Sequence, residues 1–208
     1  VNKIVVVFLY AVLSSTFSYA SIEDIFFKRI ENVRSLEVCF IQKSKVDQIQ
    51  ENYDVYEGKL IFKKPLKFRW YYTKNSKAVV VSDGKFIYAY FPEQNQLNIS
   101  QIDNSTEIFP LISLVSSRKD FEKFYAKEAI NVSGTFTEIV FKPKFKGSMF
   151  KEISIVFSNK RVIPVRILTL GVDGSENIYD IACWKENVKV NDSMFTIKPK
   201  KGTSINRY

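Results

Sequence analysis

Apolar and polar residues alternate along most of the chain, the period of half-buried β-strands. The alternation is richest in rings over residues 58–92. There Phe68, Trp70 and Tyr72 fall on one face of one strand, and Phe86, Tyr88 and Tyr90 on one face of another. Between these strands, Ser82-Asp83-Gly84-Lys85 carries the Asp-Gly signal of a tight hairpin. A two-residue loop pairs Val81 with Phe86 and Val79 with Tyr88, so that these four side chains share one surface. A sheet face with this much ring area must be covered, either by a packed core or by an apolar ligand.

Helical spacing replaces the alternation in two places. Over 21–34, Ile22, Ile25, Phe26, Ile30 and Val33 recur on one face, and Ser21 with Asp24 fits a capping box. At Phe109–Val115, Pro110 stands near a helix start and Leu111, Ile112, Leu114 and Val115 gather into one apolar patch. Asp120 to Tyr125 fits a second short helical turn. Strands are expected over Val38–Lys45, Val55–Lys63, Leu66–Thr73 and the hairpin 77–91, with 95–102 as an edge strand. They resume over 126–132, 136–142, 151–158, 161–170 and 176–184 and end with 193–198, with turns at Asn159-Lys160 and Asp173-Gly174. The sequence shows no linker, repeat or low-complexity tract, so residues 21–208 are expected to form one domain. The pattern predicts a mainly β (α+β) fold, a strongly curved antiparallel sheet or incomplete β-barrel. Its concave face is expected to be covered by an N-terminal helix and a helical lid.

The first twenty residues read as an address. Lys3 precedes the apolar run Ile4–Leu13, and small polar residues lead to Ser18-Tyr19-Ala20, the form of an export signal cleaved after Ala20. The run is shorter than the roughly 20 residues that span a bilayer. Ser21 follows the expected cleavage point, so no cysteine stands there for acylation.

Composition narrows the chemistry. Lys and Arg number 31 against 22 Asp and Glu, a formal charge of +9. Basicity with many aromatics could suggest nucleic acid, but export and the scatter of the cations argue against it. A plain soluble surface, or attraction to anionic membranes or an acidic partner, remains. The absence of histidine removes the commonest general base and metal ligand. Cys39 and Cys183 cannot by themselves make a four-ligand zinc site, and no phosphate-binding glycine loop is present. Glu23-Asp24 reads as a solvated or capping pair. No catalytic residue, metal site or cofactor is expected. Asn98, Asn104, Asn131 and Asn191 begin glycosylation sequons that matter only in a eukaryotic host. Cys39 and Cys183 are either bridged or two buried thiols, depending on whether their α-carbons lie within about 7 Å.

The order and spacing of several short motifs carry a family resemblance. Phe40-x-Gln42-Lys43, Gly58-x-Leu60, Lys64-Pro65, Phe68-Arg69-Trp70, Val81-Ser82-Asp83-Gly84-Lys85, Tyr88-x-Tyr90-x-Pro92, Phe109-Pro110-Leu111 and Phe195-x-x-Lys198-Pro199 resemble the periplasmic outer-membrane lipoprotein carrier family, LolA. The resemblance implies a monomeric periplasmic carrier. It would take the acyl chains of lipoproteins released by an inner-membrane ABC-type exporter and deliver them to an outer-membrane acceptor. On that reading Leu60, Phe62, Phe68, Trp70, Tyr72, Val79, Val81, Phe86, Tyr88 and Tyr90 line the cavity, and Leu111, Ile112, Leu114 and Val115 form the lid. Lys64 stands where the family often has an arginine latch, with Arg69 able to share that task. The family does not need a disulfide, so both states of the cysteines stay open. A lipid or lipoprotein sensor of the same fold, a glycolipid carrier, an acceptor-like protein and a filled-core interaction domain are the alternatives.

Overall fold

The computed structural model describes residues 21–47, 49–102 and 108–208. The expected export signal, 1–20, and the sequon at Asn104 lie outside the described residues. Helix α1 (Ile22–Glu31) leads into six strands: β1 (Ser35–Lys45), β2 (Asp54–Lys63), β3 (Lys67–Lys74), β4 (Val79–Asp83), β5 (Phe86–Phe91) and β6 (Gln96–Gln101). Helices α2 (Phe109–Ser116) and α3 (Arg118–Phe124) follow. The chain then forms β7 (Tyr125–Ser133), β8 (Phe136–Pro143), β9 (Phe150–Ser158), β10 (Ile163–Gly171), β11 (Glu176–Glu186), a 3₁₀ turn (Asp192–Phe195) and β12 (Ser204–Arg207).

All the strands join one curved, open sheet in the order β12-β6-β5-β4-β3-β2-β1-β11-β10-β9-β8-β7. Two antiparallel meanders, β1 to β6 and β7 to β11, therefore meet where β1 pairs with β11. Cys39 lies directly opposite Cys183 at that seam. The structure closes the choice left open by the sequence, since the two are joined in a disulfide with α-carbons 4.7 Å apart.

The helices occupy the concave side. α1 begins at the expected capping box, where Ser21 Oγ accepts from the Asp24 amide at 3.2 Å and the Ser21 amide donates to Asp24 Oδ2 at 3.1 Å. It stops at Glu31, three residues short of the expected end, and buries Phe26, Phe27 and Ile30. α2 is apolar apart from Ser113 and Ser116, and every residue from Pro110 to Ser116 is buried. Such a helix belongs inside a protein rather than on its surface. One cluster joins these helices to Leu36, Val38, Phe40, Leu60, Phe62, Phe68 and Trp70 on the sheet. Among the described residues no helix is long and apolar enough to cross a membrane.

Three local expectations are corrected. Residues 193–198 are not a strand: the 3₁₀ turn takes their place, capped by Asn191 Oδ1, which accepts from the Ser193 amide at 3.0 Å. Phe195 is used as an anchor on the convex side, packed with Ile61 and Val81, and the chain goes on to add β12 parallel to β6. β6 is consequently not an edge. The β4–β5 hairpin also has a longer loop than two residues. Asp83 Oδ1 accepts from the amides of Lys85 at 2.8 Å and Phe86 at 2.9 Å, and Gly84 sits at φ 100°. This side-chain turn takes the Phe86 amide away from the β4 ladder. Val81 then pairs with Tyr88 and Val79 with Tyr90. The shift is two residues, so the side chains keep a common face.

Candidate ligand cavity

Alternate residues of the central strands build the concave wall. Leu60, Phe62, Phe68, Trp70 and Tyr72 all point to this side, as the family resemblance implies. Phe40 of β1 stacks on Trp70 with centroids 4.0 Å apart, and Tyr179 of β11 meets Trp70 edge-on at 5.6 Å. Gly58 permits this stack. A Cβ there would overlap the Phe40 ring and come within 2.8 Å of the Tyr71 carbonyl oxygen. Gly58→Ala is expected to push Phe40 off Trp70 and to cost about 1–3 kcal/mol, the usual penalty for overpacking. Thermal unfolding, read with the tryptophan near-ultraviolet signal, checks it.

The other five expected lining residues are placed differently. Trp70 pairs with Val80, and Val80 with Ala89, so Val80, Ile87 and Ala89 are the concave residues of β4 and β5. Val79, Val81, Phe86, Tyr88 and Tyr90 face the convex side. Val81 is buried there with Ile61 under Phe195, and Val79 packs at the margin of the same cluster. Tyr88 donates to Asp83 Oδ2 at 2.9 Å, and Tyr90 Oη accepts from the Lys200 amide at 3.3 Å. Most of this group thus seats the C-terminal segment or the hairpin loop, while Phe86 is left 39% exposed. No local pattern signals a second covered face, because Phe195 lies far along the chain from its partners.

α2 supplies the opposite wall. Leu111, Leu114 and Val115 face Val38, Phe40, Leu60 and Trp70 across a small cavity of about 30 Å³. That is room for one or two waters, in wholly apolar surroundings. The α2 side chains themselves fill the concavity. Ile112 turns to the other flank, where it lines a cleft of about 390 Å³ with Pro65, Leu66 and Phe109. Both α2 hydroxyls are satisfied within the helix, Ser113 Oγ donating to the Pro110 carbonyl at 3.0 Å and Ser116 Oγ to that of Ile112 at 2.7 Å. No α2 side chain therefore needs a hydrogen bond from the sheet in order to stay buried. The concave face also lines a second cavity of about 330 Å³, with Trp70, Tyr72, Val80, Ile87 and Tyr179 among its walls.

Neither residue of the expected latch bonds to α2. Lys64 Nζ donates to the carbonyls of Ile30 at 2.7 Å and Glu31 at 3.3 Å, capping the C-terminus of α1. Arg69 donates to the carbonyls of Met194 at 3.3 Å and Thr196 at 3.4 Å on the convex side. Arg118, which immediately follows α2 and its cap, ties α3 to α1. Its Nη1 meets Asp24 Oδ1 at 2.5 Å and its Nε meets Glu122 Oε1 at 2.7 Å. Beside it, Lys127 pairs at 2.7 Å with Glu23, whose side chain is only 3% exposed. Glu23-Asp24 was the visible signal, but its partners are about a hundred residues away.

The Arg118 hydrogen bond, helped by Ser21, lowers the Asp24 pKa from 3.8 to about 2. A carboxyl held below its unfolded value contributes fully above pH 3.8 and loses its contribution as the pH falls through 2. Both side chains are about two-fifths exposed, so the clamp is worth no more than about 1 kcal/mol. Amide exchange in α2 is expected to quicken between about pH 4 and pH 2 once intrinsic rates are removed. In Arg118→Gln it should already be up to about fivefold faster at pH 7, with this acid step gone. An acid step of the same size in the variant would contradict the clamp.

A family model described as "Outer membrane lipoprotein carrier protein LolA" matches residues 31–198. The chain is 24% identical over 200 residues to the outer-membrane lipoprotein carrier protein of Nitrosospira multiformis, covering 96% of this chain and 95% of the relative. It is 26% identical over 180 residues to the protein of that name in Serratia proteamaculans, covering 85% and 83%. Among solved structures, an uncharacterized conserved protein from Thermus thermophilus aligns with a TM-score of 0.54 at 13% identity, over 89% of this chain and 97% of that one. That last likeness is one of fold alone.

Proposed function

The chain belongs to the outer-membrane lipoprotein carrier family LolA, and from that premise we propose that it carries lipoproteins with their acyl chains held in the concave face. The carriage would take place in the periplasm, from an inner-membrane ABC-type exporter to an outer-membrane acceptor. One observation supports this reading most. The concavity of the sheet is filled by a short, buried, mostly apolar helix whose two hydroxyls are satisfied internally. Leu111, Leu114 and Val115 stand where acyl chains would lie, and Leu60, Phe62, Phe68, Trp70, Tyr72, Val80 and Ile87 form the wall they would meet.

The energetics fit a lid. Each buried CH₂ of an acyl chain is worth about 0.8 kcal/mol, so lipoproteins do not leave a membrane unaided at useful rates. A carrier must match that lining while remaining closed when empty. Cargo replaces the contacts that α2 makes with the sheet, so opening is driven by the difference between two similar apolar packings. The transfer needs no chemical step in the carrier.

The test is release. The purified protein is incubated with spheroplasts making an acylated outer-membrane lipoprotein, and the soluble fraction is examined for a one-to-one complex. The expected result is a complex with acylated cargo and none with an unacylated control. A protein that releases nothing and takes up no acylated cargo is not a carrier.

A further inference from the structure

The concave face changes character along its strands. On β1 the inward positions run Val38, Phe40, Gln42, Ser44, turning from apolar to polar in one step. β11 does the same between Tyr179 and Asn177, which pair with Gln42 and Ser44. The polar end is built as a connected network. Gln42 is only 6% exposed. Its Nε2 donates to Asn177 Oδ1 at 2.8 Å, and its Oε1 accepts from Tyr72 Oη at 2.8 Å. Ser44 Oγ donates to the same Asn177 oxygen at 2.7 Å. Both bonds to Asn177 arrive at its oxygen, leaving its NH₂ to donate elsewhere.

These residues line a groove of about 450 Å³, within the roughly 300–1,000 Å³ range of small-molecule sites. Tyr72 lies on both this groove and the adjoining apolar cavity against Trp70 and Tyr179. The two spaces are therefore consecutive parts of one amphiphilic trough. Its charged members, Lys45 and Asp173, are one of each sign. A balanced, amide-lined groove suits a neutral group with both donors and acceptors. An anionic phosphate, which only accepts, would meet the Asp173 carboxylate.

We propose that the Gln42–Asn177–Tyr72 groove binds the first peptide groups of the acylated segment, beside the acyl chains in the cavity. The inference rests on the carrier reading above and adds its polar half. A peptide unit offers one donor and one acceptor, and side-chain amides match both. The groove lets the protein distinguish a lipoprotein from a free fatty acid or phospholipid with the same tails.

Binding of three probes to the purified protein tests this by calorimetry. They are a four-residue peptide with two palmitoyl chains on its N-terminal cysteine, palmitate alone, and a palmitoyl lysophospholipid with an anionic head. The variants are Gln42→Met and Asn177→Ser, with palmitate affinity reporting that the apolar cavity is intact. The expected result is an about tenfold weaker lipopeptide affinity in each variant, the loss of one to two net hydrogen bonds, with palmitate changed less than twofold. Equal weakening of both ligands, or no weakening of either, overturns the groove assignment. So does a lysophospholipid bound by the unaltered protein as tightly as the lipopeptide. If the unaltered protein binds neither lipopeptide nor palmitate, the carrier reading fails and the groove assignment with it.

Discussion

Replacing Cys39 and Cys183 together by alanine lowers the free energy of unfolding by about 2–5 kcal/mol, the usual loss of a native bridge. The upper end is expected here. The cysteines are 144 residues apart in sequence, and a closed loop of that length restrains the unfolded chain by about 5 kcal/mol in the chain-entropy picture. The position adds a structural consequence. The bridge joins β1 to β11 at the seam between the two meanders, so its loss weakens the junction on which the whole concavity depends. Urea unfolding of the oxidised protein, the reduced protein and the double variant measures the effect. The last two should agree with each other and fall well below the first. A difference under about 1 kcal/mol would mean that strand pairing alone holds the seam.

Leu114→Asp gives the second large effect, and it separates a lid from a core. Leu114 is 2% exposed and faces the sheet across the small apolar cavity. An uncompensated carboxylate there costs about 3–5 kcal/mol in the closed state. If α2 is a lid, the protein escapes this cost by swinging α2 out while the sheet stays folded. The empty variant should then bind an apolar dye, exchange its α2 amides more than about 100-fold faster, and keep its strand signal. Ile25→Asp is the control, because Ile25 is already 46% exposed and should change little. Loss of the sheet together with α2, in one cooperative transition, would mark α2 as ordinary core and remove the main support for cargo exchange.

The local features of the fold were legible in the chain. Period-two alternation gave the strands of both meanders nearly in place, because backbone geometry repeats every second residue whatever lies outside it. The Ser21–Asp24 capping box, Pro110 and the run through Val115 fixed α1 and α2 by interactions within a few residues. The same alternation put Phe68, Trp70 and Tyr72 on one face, and the resemblance of the surrounding motifs to LolA implied that it was the concave one. The disulfide, the Arg118–Asp24 clamp and the strap anchored by Phe195 were not legible, since each joins segments more than ninety residues apart.

Alternation determined that Phe86, Tyr88 and Tyr90 share a face, and that Val79 and Val81 share it with them. It could not determine which face. Parity within a strand is local, whereas inward or outward is set by register with the neighbouring strands and by what covers each side. Here Asp83 lengthened the hairpin loop by its own hydrogen bonds, and the C-terminal segment covered the convex side of β2, β3 and β4. An apolar stripe on either side of those strands could thus be satisfied. Only the pairing of Trp70 with Val80 and of Val80 with Ala89 decided that the rings of β5 lie behind the cavity wall and not within it.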